Sequence, residues 1–485
     1  MRSFKIFQII STFNKNEMKE FEDFIQSPYL KGSRDYATML STIYSFNKNQ
    51  INLESISNED FFRRIYPGKK YNNKTLRNRL TEITVFAKKF LIQKTLEKDN
   101  SLKDYLLLKG LKEKKLYSIF KSELVKTYED IKTNSKRSSN VSEIMVMDAL
   151  VLMESGEVVK AYNAYKKYTE YYTSYFLESL FEMMLEYESE KTYDINVGNN
   201  IVLDLVNNLR ADKFIQTLEN KNDNNCLYII LFYYLYKSFL NLNDEIIYKK
   251  FSKIFFHNLE KISSERKNDF FGLMISRYFM KINMGDVNLF KEVFKLYNIK
   301  LKLGLHSELN EIRYPSTAFR DYIIVGLRME KFKWVEDFII KYSTELPVEI
   351  RNNEVNMAYT RLHLIRKEYD KALEYLNKMK TTNYIYILDA SRIRLRIYYD
   401  NSDFENAFLE IDRIKHYFRN NNKKIALSVR KYSKEFLDKY IILLRLKLNP
   451  DKQEIEYFLK SVQECPGLIL KVWLIEKVKE MRVSI

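Results

Sequence analysis

Only ten glycines and six prolines occur in 485 residues. Gly and Pro are the residues that reverse a chain most readily, so a chain this poor in them cannot fold into a many-turned sheet protein. Turns must come from Asn, Asp and Ser, as in Asn47-Lys48-Asn49, Asn222-Asp223-Asn224-Asn225 and Asn420-Asn421-Asn422. Helices joined by short links satisfy this constraint best. An all-α chain is therefore expected.

Hydrophobic residues make up 46% of the chain and charged ones 30%, enough for cores and too polar for a membrane-embedded protein. The apolar run Cys226 to Phe239 is too short to span a bilayer. Lys5 and Gln8 interrupt the apolar start, which reads as no signal peptide, and the cytoplasm is the expected compartment. Two cysteines, Cys226 and Cys465, make no disulfide framework and read as buried free thiols. The net charge of +17 favours acidic partners, although a chain rich in Lys, Asn, Ile and Tyr is also what an AT-rich genome encodes.

Three sections follow from periodicity. Residues 1–98 form a helical N-terminal domain. Asn14 and Glu17 make a capping box, Pro28 stops the helix behind it, and Leu76, Leu80, Ile83, Ala87, Phe90 and Leu91 line one face of a long helix. Residues 99–138 form a helical connector whose apolar positions are Leu106, Leu107, Leu111, Leu116, Ile119, Phe120 and Leu124. Residues 139–485 repeat helix, polar break, helix. The clearest unit places Tyr369 and Ala372 at the start of a second helix, and Phe404 and Ala407 follow about 35 residues later, near the roughly 34-residue period of one helical repeat class.

Those pairs resemble the tetratricopeptide repeat, where an aromatic and then a small residue open the second helix of each hairpin. Val158/Ala161, Phe290 and Val335 mark degenerate units. The tryptophan and glycine of the first helix are missing throughout. The resemblance implies a small helical N-terminal domain followed by an irregular right-handed α-α solenoid of helical hairpins; an irregular helical bundle is the alternative. The whole order also resembles a bacterial protein type with a helical front domain and degenerate repeats, a resemblance that brings no known chemistry with it.

No catalytic motif is found, and the chain reads as a non-enzyme without cofactor or metal. His257, His306, His363 and His416 are each isolated, and Pro67-Gly68-Lys69-Lys70 lacks the flanking residues of a phosphate loop. Glu186, Glu188 and Glu190 read as a solvated helix face. The expected function is binding of an acidic protein or peptide partner on a repeat surface. If the first helices of the hairpins line that surface, as the resemblance implies, the groove candidates are Asn356, Tyr359, Thr360, His363, Arg392, Leu395 and Arg396.

A second expectation comes from the front section. Arg63, Arg64, Lys69, Lys70, Lys74, Arg77, Arg79 and Lys88 form a cluster with few opposing acids, and Lys74, Arg77 and the Lys69/Lys70 turn fall at a helix N-terminus. Such a cluster suits phosphates and makes a nucleic-acid-binding regulator the alternative function. Asp60 to Leu91 also resembles the DNA-binding domain of bacterial activators that join a winged helix to a tetratricopeptide module. Here Tyr66-Pro67-Gly68 precedes Leu76-Arg77-Asn78-Arg79-Leu80, but no β-hairpin wing follows. The oligomeric state is left open by the sequence.

Overall fold

The structure is a computed structural model that describes residues 5–27, 30, 36–48, 57–133, 138–190, 201–209, 211–221, 226–306, 317–380, 383–421, 425–465 and 468–483. Among the described residues it contains helices and no strand, so the chain is all-α as its turn-poor sequence requires. By internal contacts it divides into two compact units, Met1–Tyr175 and Phe176–Ile485.

The first unit begins with α1 (Lys5–Ile10), α2 (Lys15–Gln26), α3 (Ala37–Lys48), α4 (Asn58–Ile65) and α5 (Asn73–Leu96). The capping box stands as read. Asn14 Oδ1 accepts from the backbone N–H of Asn16 and Glu17, and Glu17 Oε2 accepts from Asn14 N–H at 2.9 Å. α5 is the axis of this core. Leu76, Leu80, Ile83, Ala87 and Phe90 are buried against the residues of α1 to α4. Leu91, expected on the same face, is instead exposed, because the buried positions of a straight helix drift past it.

The connector is two helices, α6 (Asn100–Glu113) and α7 (Tyr117–Thr133), packed with α8 (Ser139–Glu154). Leu108, Phe120 and Leu124 are buried here. Leu106, Leu107, Leu116 and Ile119 are exposed. The apolar residues outnumber the positions that one buried stripe can hold, so part of the expected core faces solvent. α9 (Val158–Glu190) contributes its first half to this unit and its second half to the next.

The second unit continues with α10 (Ile201–Asn208), α11 (Ala211–Lys221), α12 (Leu227–Leu240), α13 (Glu245–His257), α14 (Ser264–Asn283), α15 (Phe290–Lys302), α16 (Thr317–Arg328) and α17 (Phe332–Tyr342). It closes with α18 (Val348–Ile365), α19 (Tyr369–Asn377), α20 (Tyr384–Asp400), α21 (Phe404–Asn420), α22 (Leu427–Leu448), α23 (Lys452–Gln463) and α24 (Lys471–Val483). From α14 onward each helix packs on its neighbours in sequence, and α16 also packs on α18 and α22 on α24. α12 carries the apolar run noted above and is buried almost throughout its length.

Tyr369 and Phe404 each open a helix, and Ala372 and Ala407 are fully buried where α19 meets α18 and α21 meets α20. A small residue lets these helices approach closely. The same logic is most severe at Gly326, where a Cβ would lie 2.7 Å from Val335 Cγ2 and 3.0 Å from the Trp334 ring.

Asn builds one described turn, where Asn241 Oδ1 accepts from Asn243 N–H at 3.2 Å, but other tight turns use a left-handed residue instead. At Lys115, Glu330, Lys367 and Ser402 the backbone takes φ between 53° and 59°. The following N–H then reaches back five residues, as in Glu368 N–H to His363 C=O at 2.9 Å and Asp403 N–H to Tyr398 C=O at 2.8 Å. Gly156, Gly285 and Gly304 occupy the equivalent place in three other turns. Of the Asn-rich links, residues 49, 222–225 and 422 lie outside the described residues.

Cys226 and Cys465 form no disulfide, are half-buried rather than buried, and pack against apolar clusters. Glu188 is buried, so Glu186 and Glu188 do not share one solvated face. Among the described residues no helix is long and apolar enough to cross a membrane.

Candidate functional site

α20 sets the site. Its sequence YIYILDASRIRLRIYYD places buried side chains all around its axis, including Tyr386, Leu388, Ala390, Ile393, Leu395, Ile397 and Tyr399. A helix enclosed on all sides has no ordinary solvent face for its charges. Asp389, Arg392, Arg394 and Arg396 must therefore find partners inside the packing or present themselves in a cleft.

On one side of α20, Asp389 and Arg392 join charges from α16 and α18 and a hydroxyl from α22. The Arg320 guanidinium clamps Glu354 through both edges, Nε to Oε2 at 2.7 Å and Nη2 to Oε1 at 2.9 Å, and donates to Asp389 Oδ2 at 3.0 Å. Tyr386 O–H donates to Glu354 Oε1 at 2.6 Å, so this wholly buried carboxylate receives three donors. Asp389 also accepts from Arg392 at 3.1 Å and has Arg361 at 3.5 Å. Arg392 Nη2 donates to Ser433 Oγ on α22 at 3.0 Å.

Burial opposes every charge here. It pushes the guanidinium pKa of Arg361 and Arg392 down, with Asp389 acting against it in both cases. For Arg320, Glu354 and Asp389 outweigh burial and the pKa is raised. Burial lifts the Asp321 carboxyl to about 6, against the pull of Arg361 and Arg320.

Two further arginines extend the same side. Arg396 lies one turn beyond Arg392 on α20, 5.8 Å from the Trp473 ring centroid of α24, and burial lowers its pKa to about 10. Arg430 lies one turn before Ser433 on α22. In both, the buried Nε has no hydrogen-bond partner.

The sequence-derived groove residues separate into different places. Arg392 and Arg396 lie on this arginine-rich side. Tyr359 and His363 lie on the other side of α18, where the Tyr375 ring of α19 stacks 5.0 Å from Tyr359 and 5.4 Å from His363. His363 Nδ1 pairs with Glu368 at 2.7 Å. Thr360 and Leu395 are wholly buried, and the Thr360 hydroxyl donates to the Asn356 carbonyl at 2.7 Å. Asn356 is half-buried. Sequence reasoning missed Arg320, Glu354, Arg361, Tyr386, Asp389 and Arg430. The available signal was a run of charges inside a helix with no polar face.

In the first unit, Lys74, Arg77 and Lys88 fall on the exposed side of α5, opposite its buried stripe. Lys69 and Lys70 are exposed in the turn before it, with the Lys69 ammonium 5.4 Å from the Tyr66 ring centroid. Arg63 pairs with Glu59 at 2.6 Å, and Arg64 is exposed on the same short helix. Arg79 is half-buried and donates to Glu82 at 3.2 Å, apart from the exposed row. Among the described residues no three His, Cys, Asp or Glu side chains stand close enough to hold a metal ion.

No protein-family model, no curated protein and no solved structure matches this chain.

Proposed function

We propose that this chain is a non-enzymatic binding protein of the cytoplasm. Its second unit, built from tetratricopeptide-like hairpins, takes an acidic segment of a protein or peptide partner on the arginine-rich side of α20 and α22. The observation that supports this most is the pair Arg396 and Arg430. Each holds a buried guanidinium N–H without an acceptor beside arginines that are already engaged. Leaving such a donor unpaired costs roughly 1–3 kcal/mol, which a carboxylate would return once the side chains covering the guanidinium move aside.

The test is fluorescence anisotropy of the full chain with a labelled Glu/Asp-rich peptide at low and physiological salt. The expected result is saturable binding that weakens about tenfold or more in an Arg396→Gln, Arg430→Gln double variant. Absence of binding by the unaltered chain at low salt would sink the reading.

A second reading rests on the row Lys74, Arg77 and Lys88 with Lys69 and Lys70. Five exposed cations, four near the start of α5 and Lys88 farther along its exposed face, suit a nucleic-acid backbone. It predicts DNA or RNA affinity that falls steeply with salt and is lost on Arg77→Glu with Lys88→Glu. Affinity unchanged in that variant removes this reading and leaves the first untouched.

A further inference from the structure

The opposite side of α20 lines a cavity of about 320 Å³, at the low end of the range of roughly 300–1,000 Å³ usual for small-ligand pockets. α19 supplies Leu376 and Asn377, α20 supplies Leu388, Ser391 and Arg394, and α21 supplies Arg413. Met379, Ile387, Ile414 and Tyr417 also line it.

Two guanidiniums that line this cavity share one buried carboxylate, Glu410. Arg413 donates to Glu410 at 2.5 Å and to Ser391 Oγ at 3.1 Å. Glu410 is thus neutralised. Arg394 is left with long contacts only: Asn377 Oδ1 at 3.4 Å and Glu410 at 3.9 Å. Its side chain is 16% exposed, and burial lowers its pKa. The contrast within the same unit is Arg277, wholly buried, whose donors reach the carbonyls of Ser238 and Leu242 and the carboxylate of Glu245. Arg277 is a finished structural arginine; Arg394 is a mostly buried cation with unused donors facing a cavity.

We infer that this cavity binds a small monocarboxylate with an aliphatic body, its carboxylate on Arg394 and its body against Leu376, Leu388 and Ile414. A free organic acid and the C-terminal residue of a peptide offer the same chemistry. The site is separate from the Arg396 and Arg430 side, and the inference does not rest on the reading of that side.

The test is calorimetric titration of the full chain with N-acetyl-leucine, N-acetyl-leucinamide, and a pentapeptide ending in a free leucine carboxylate. N-acetyl-leucine is expected to saturate one site, with the amide at least about tenfold weaker. Arg394→Met is expected to abolish that preference and Arg394→Lys to keep part of it, because a point charge replaces a fork. A pentapeptide about tenfold tighter than the amino acid identifies a chain end as the ligand; equal affinity identifies a free acid. The inference is overturned if acid and amide bind alike, if neither saturates by about 10 mM, or if Arg394→Met binds the acid unchanged. The acid–amide contrast needs no variant, so it decides the matter even if Arg394→Met fails to fold.

Discussion

A carboxyl group next to two arginines normally gives up its proton more easily. Asp321 does the reverse, since burial outweighs Arg361 and Arg320 and lifts it from 3.8 to about 6. The folded chain therefore holds this proton where the unfolded chain has released it. Stability from this group is fully present below about pH 4, falls as the pH rises, and is lost above about pH 6. Asp321→Asn should then stabilise the protein at pH 7.5 by about 1–2 kcal/mol, discounted from the full shift because the side chain is half-buried. The two proteins should converge toward pH 4. Urea melts at both pH values check this, and a variant no more stable at pH 7.5 refutes it. Gly326 carries the other residue-level consequence. Gly326→Ala drives a methyl into Val335 and Trp334 and should lower stability by roughly 1–3 kcal/mol in thermal melts.

At the level of elements, the hairpin turns explain how a glycine-poor chain reverses direction so often. Lys367 and Ser402 accept a left-handed backbone that costs an ordinary residue about 1 kcal/mol relative to glycine. Lys367→Gly and Ser402→Gly should each raise the melting temperature, with a gain of about 1 kcal/mol or less; a loss at both would contradict the turn geometry. Local signals of this kind decided what the sequence made legible. The cap at Asn14, the stop before Pro28, and the helix starts at Tyr369 and Phe404 depend on residues within a few positions of one another. The left-handed turns at Lys115 and Glu330 gave no such sign, because the side chains there are unremarkable and the hydrogen bond back across the turn does the work. Helix rotation was also hidden, which is why Leu106 and Leu107 turned out exposed and Leu108 buried.

At the scale of the whole chain, two units each have their own buried clusters. Between Val158 and Tyr175, α9 buries only Ala161. A helix so thinly packed opens locally at little cost. Amide protons of residues 162–173 should exchange with solvent at least about a hundredfold faster than those of α12; equal protection would show that the segment is held by more than its own hydrogen bonds. The arginine-rich site was the least legible feature at this scale. Arg320, Glu354 and Asp389 are 34 and 35 residues apart along the chain and meet only when three alternate helices come together. Arg392 and Arg396 were found because they sit one turn apart on one helix.

α20 is the common wall of both candidate sites, with Arg396 on one side and Arg394, two residues earlier, on the other. A rod enclosed on every side cannot roll toward one tenant without drawing its donors away from the other. Linkage then makes any such influence mutual: whatever factor occupancy on one side imposes on affinity across the helix is returned in equal measure.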